Sequence, residues 1–110
     1  MKVRHLDAAR IELDEAFEWY EMQHPGLGYD FAGEVDATIH RICLNPEAYA
    51  RVDRDVKRAL VKRFPYGVMF GYDQAAEMVM IVAIAHLHRR PSYWSDRIDE
   101  LNFQNVDDAR

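Results

Sequence analysis

At 110 residues, 49% hydrophobic and 30% charged, the chain suits a single domain with one modest core. No apolar run reaches the roughly eighteen residues a membrane helix needs, and the N-terminus lacks the apolar core of a signal peptide. A cytoplasmic location away from membranes is therefore expected. The lone cysteine, Cys43, excludes an internal disulfide and a cysteine zinc cluster, and among apolar neighbours it suits core filler.

The net charge of −5 is polarised along the chain. Residues 1–50 hold four Lys/Arg against ten Asp/Glu, residues 51–98 nine against five, and residues 99–110 one against four. An acidic total argues against a protein that holds nucleic acid mainly through phosphates, although the basic middle third leaves such contact open.

In chain order, Lys2 to Leu6 alternates weakly and predicts a short strand, with Asp7 as the N-cap of the helix that follows. Ala9, Leu13, Ala16, Phe17 and Tyr20 recur at helical spacing. Glu12, Asp14, Glu15, Glu18 and Glu21 fill much of the rest and predict a solvated acidic face. His24, Pro25 and Gly26 end this helix. Leu27, Phe31, Val35, Ile39 and Ile42 mark a second, ending at Asn45 and Pro46, so the two form an antiparallel hairpin. Pro46 to Asp55 predicts a loop. Val56 to Phe64 fits either a helix or an edge strand, and periodicity alone leaves both open.

Tyr66, Val68, Phe70 and Tyr72 alternate with Gly67, Met69 and Gly71, the period of a pleated strand. Met78 to Leu87 is apolar on both faces until His86 and predicts a central strand. With Asp73 to Glu77 as the loop, Tyr72 would pair with Met78, Phe70 with Met80, Val68 with Val82 and Tyr66 with Ile84. The opposite face of this hairpin, lined by glycine and alanine, predicts close approach of another backbone. Tyr93 to Leu101 predicts a further helical turn or two. The domain is placed at residues 1–98, with an acidic tail over 99–110.

Two basic clusters carry the candidate chemistry. Arg51, Arg54, Lys57, Arg58, Lys62 and Arg63 suit either a solvated edge strand or a binding surface. His86, His88, Arg89, Arg90, Tyr93 and Trp94 gather at the end of the central strand, where a rigid scaffold commonly positions binding groups. The histidine pair lacks a carboxylate or cysteine at ligand spacing, so structural histidines are favoured and no metal or other cofactor is expected. The chain carries no phosphate-cradling glycine loop, nucleophile elbow or metalloprotease motif.

Arg63-Phe64-Pro65-Tyr66, taken with His86, Arg89, Arg90, Pro91 and Trp94 at the basic exit of the last strand, resembles the ParE/RelE superfamily of bacterial toxins, on its ParE-like side. The resemblance covers nearly all of residues 1–97. It implies an α+β fold: an N-terminal strand and helical hairpin packed on a three- to four-stranded antiparallel sheet. It also implies the toxin of a type II toxin-antitoxin system of the plasmid-stabilisation kind, held in a hetero-oligomer by a ParD-like antitoxin and inhibiting DNA gyrase. Arg58, Arg63, Met69, His86, Arg89, Arg90 and Trp94 would then face the antitoxin or the target. The alternative within the superfamily is a RelE-like, ribosome-dependent mRNA endonuclease, with Arg63, Arg89, Arg90 and Tyr93 in its site. In that branch an arginine follows the aromatic residue opening the hairpin; here the place is Gly67, which favours the non-enzymatic reading.

Overall fold

A computed structural model describes residues 1–99. The expected acidic tail, apart from Asp99, and the last residues of the expected C-terminal helix lie outside the described residues. The elements are β1 (Lys2–His5), α1 (Asp7–Gln23), α2 (Leu27–Leu44), β2 (Arg51–Asp53), β3 (Val56–Leu60), β4 (Tyr66–Asp73) and β5 (Met78–His86). Short 3₁₀ turns occupy Pro46–Ala48 and Ser95–Arg97. No helix among the described residues is long and apolar enough to cross a membrane.

The α+β architecture is as expected, but the sheet has five strands and is mixed, in the order β1-β5-β4-β3-β2. Two strands account for the difference. β1 pairs with β5 in parallel, Lys2 opposite Met78 and His5 opposite Ile81. Within the expected loop, Arg51–Asp53 folds back on β3 through a reversal at Arg54, whose φ is +44°. The ambiguous 56–64 stretch is thus a strand as far as Leu60, flanked on both sides by antiparallel neighbours.

The N-cap of helix α1 lies one residue earlier than predicted. Leu6 is the extended N-cap residue, without a side-chain cap bond, and Asp7 lies in the first turn, where a carboxylate favours the positive end of the helix dipole. The reversal between the helices needs Gly26, at φ +92°. Close approach of α1 and α2 depends on Gly28: a Cβ there would come within 2.6 Å of the Phe17 carbonyl oxygen, while the Gly28 N–H donates to Glu21 Oε1 at 2.9 Å. Glu21 is therefore tied to α2 instead of belonging to a purely solvated face.

The helical hairpin covers one face of the sheet. Phe31, Val35 and Ile42 meet Val68, Phe70, Val79, Ile81 and Ile84 in the larger core. Tyr20, Phe31, Phe64 and Tyr66 form an aromatic group at its end, with ring centroids 4.8–6.2 Å apart.

The β4–β5 hairpin has a different register from the one the loop suggested. Tyr72 pairs with Val79 and Phe70 with Ile81; the register then shifts between Met69 and Phe70, so that Val68 pairs with Ile84 and Tyr66 with His86. The turn moves the pairing by one residue, and the irregularity accommodates an extra residue on β5 at Val82, moving it by one more. After the shift Ile84 still faces the helices while Val82, Ala83 and Ala85 join the opposite face. That second face is covered by Trp94 and Ile98 of the C-terminal segment together with Leu6. Side chains, not a backbone, lie over Gly67: the nearest atoms to a Cβ there would be Met69 Cε at 3.2 Å and Arg58 Cδ at 3.3 Å.

Candidate functional site

β1 ends early, and its ending opens an edge. Its pairing with β5 stops at His5, and the Leu6 N–H makes a last bond to the Ile81 carbonyl at 3.0 Å before the chain turns into α1. The second half of β5 would otherwise present unpaired backbone groups. Two side chains take the place of the missing strand. Glu12 Oε1 accepts the Ile84 N–H at 3.1 Å, and Arg97 Nη1 donates to the Val82 carbonyl at 3.1 Å. Arg97 also grips both oxygens of Glu12, at 2.9 and 3.1 Å.

Glu12 thereby becomes the junction of α1, β5 and the segment after it. Tyr93 donates its hydroxyl to Glu12 Oε2. Arg89 lies 3.7 Å from the same oxygen and stacks on the Tyr93 ring, its guanidinium carbon 3.7 Å from the centroid; Arg97 sits over that ring at 5.3 Å. The Glu12 side chain is only 12% exposed, which corrects the expectation of a solvated acidic face at this position. Its place was available in the sequence: it lies three residues after Ala9 and four before Ala16, on the buried stripe. Burial first, and then the hydrogen bond to Glu12, push the Tyr93 phenol well above its ordinary range, so it is neutral at physiological pH.

The segment held this way forms one wall of a cleft of about 310 Å³ on the face of the sheet away from the helices. Arg58, Met69, His86, Arg89, Arg90 and Trp94, six of the seven expected binding residues, line it, as does Tyr93. Met69 and Trp94 are buried, while Arg58, Arg89 and Arg90 are exposed. Among the described residues the lining contains three arginines and no carboxylate, so it presents positive charge over a partly apolar floor.

The seventh expected residue, Arg63, is elsewhere. At φ +72° it turns toward α2, where it meets Glu34 at 3.3 Å and Asp30 at 3.8 Å, and its guanidinium lies 5.7 Å from the Phe64 ring centroid. Its partners are acidic residues of this chain.

His86 closes the strand. Its Nδ1 accepts the His88 N–H at 3.0 Å, which places the proton of the neutral ring on Nε2, and its ring packs edge-on against Tyr66 at 5.1 Å. Among the described residues no group of three or more His, Cys, Asp or Glu could hold a metal ion.

Comparison with known protein families finds no match, and no curated protein matches the chain. Among solved structures, the chain is similar to one in the chromosomal ParDE TA system from P. aeruginosa. The two share 14% identity and a TM-score of 0.68, over 80% of this chain and 97% of that one. At that identity the likeness is one of fold, and the fold is ParE/RelE-like.

Proposed function

We propose that this chain is the toxin of a type II toxin-antitoxin pair, that it acts by inhibiting DNA gyrase, and that a ParD-like antitoxin neutralises it by covering the basic cleft. Support comes from the shared fold with a toxin-antitoxin structure and from the character of the cleft. A concave wall with exposed Arg58, Arg89 and Arg90 above buried Met69 and Trp94 suits a protein segment that brings acidic groups and an apolar anchor.

The observation that favours binding over cleavage is the state of Tyr93. Cleaving RNA through the 2′-hydroxyl needs a base, an acid and charge stabilisation in one place. The arginines could stabilise charge, but the Tyr93 hydroxyl is engaged as a donor to Glu12, and burial raises its pKa, which disfavours it as a base. The His86 Nδ1 is occupied by a backbone amide.

Arg89, Arg90 and Tyr93 do share one cleft, and this is what speaks for the ribonuclease reading. Induction of the chain alone in a bacterial host, with separate pulse labelling of DNA and protein synthesis, separates the two. Gyrase inhibition stops DNA synthesis and raises the DNA-damage response while translation continues. Immediate arrest of translation with cleaved messenger RNA contradicts it, and normal growth contradicts toxicity altogether.

A further inference from the structure

The outer face of helix α1 mixes apolar and acidic side chains. Opposite its core stripe, Ile11, Trp19 and Met22 are 55%, 57% and 84% exposed. At about 100° per residue Ile11 and Met22 fall in line, roughly 16 Å apart along the axis, with Trp19 beside them. Exposed Glu15 and Glu18 lie between Ile11 and Met22, and exposed Asp14 borders them. Single exposed apolar residues are ordinary, but three on one helix, interleaved with carboxylates, mark an amphipathic contact surface.

The complement of this surface is present in the same chain. Across the sheet, the cleft is concave where α1 is convex and basic where α1 is acidic. Its rim also carries exposed apolar side chains, Val52 and Leu87, beside Arg58 and Arg90. We propose that the outer face of α1 docks into the cleft of a second copy of this chain. The two surfaces lie on opposite faces of the sheet, so the contact is head-to-tail and does not close into a symmetric pair; copies add in an open row. Charge attraction makes the association salt-sensitive, and one helix face is small for a specific interface, so its affinity is on the order of micromolar or weaker. Any partner that fills the cleft ends the row. This self-association does not depend on the toxin reading.

Sedimentation velocity of the purified chain tests it. In about 50 mM salt the average mass rises with concentration above the 12.9 kDa of one chain, and in about 500 mM salt it returns to it. Glu15→Gln with Glu18→Gln removes the acidic half, and Arg58→Gln with Arg90→Gln the basic half. Each double variant alone sediments as a monomer over the same range, with the circular dichroism of the parent chain. Mixed, the two retain one intact half each and form a complex of two chains that grows no further. A wild-type chain that stays monomeric at low salt, or a mixture that stays monomeric, overturns the proposal.

Discussion

Tyr93 donates its hydroxyl to Glu12, a residue 81 positions earlier in the chain, and through that bond the C-terminal wall of the cleft is anchored to the first helix. The same carboxylate accepts Arg97 and the Ile84 amide, so removing it leaves several part-buried donors without a partner. Glu12→Ala is expected to destabilise the fold by about 2–4 kcal/mol, the range for breaking one side of a buried charge pair. Tyr93→Phe keeps the ring stacked under Arg89 and loses about 1 kcal/mol. Urea unfolding of both variants measures the difference, and equal losses would contradict the central place given to Glu12.

The phenol also sets an alkaline limit. The folded state raises the Tyr93 pKa above its ordinary value of about 10, chiefly by burial. Its contribution is therefore complete below about pH 10 and is lost as pH rises above that toward the folded value. Stability of the wild type is expected to fall more steeply above pH 10 than that of Tyr93→Phe, as followed by chemical denaturation across that range. Parallel curves would count against the bond.

His5 works in the opposite sense. Burial, then Arg10, hold its pKa below the ordinary value of 6.5, with Asp36 opposing. The folded state resists the proton, so the contribution is complete above about pH 6.5 and is lost as pH falls through the folded value. His5→Gln is expected to flatten stability between about pH 6.5 and pH 5 relative to wild type. Unchanged slope in this window would place the acid sensitivity elsewhere.

Gly28 and Gly67 are both buried glycines, but their surroundings differ. A methyl at Gly28 meets backbone, the Phe17 carbonyl, which cannot yield without moving α1 from α2. Gly28→Ala is expected to cost about 1–3 kcal/mol. At Gly67 the neighbours are the Met69 methyl and the Cγ and Cδ of the exposed Arg58, side chains that can shift, so Gly67→Ala is expected to cost under about 1 kcal/mol. Thermal unfolding of the two variants distinguishes them, and a reversed order would contradict the packing described.

Much of this fold was legible in the sequence because its signals are local. Periodicity gave both helices and the β4–β5 pair, and Gly26 marked the reversal between the helices. What escaped depended on distant partners. β2 is three residues long and exists through its pairing with β3. The β4–β5 register turned on an irregularity opposite Val82, invisible to a count of loop residues. Six of the seven expected binding residues share the cleft because they flank the end of β5, whereas Arg63 leaves it through a positive φ and two carboxylates on α2. A glutamate among glutamates looks solvated, and only the spacing of Glu12 from Ala9 and Ala16 sets it apart.

The proposed function is inhibition of gyrase without cleavage of nucleic acid. The most direct test incubates the purified protein with DNA gyrase and supercoiling substrate, and in parallel with messenger RNA on programmed ribosomes. The account predicts gyrase inhibition that is lost in Arg58→Glu with Arg90→Glu, and intact messenger RNA throughout. Unimpaired gyrase together with cleaved messenger RNA would contradict it.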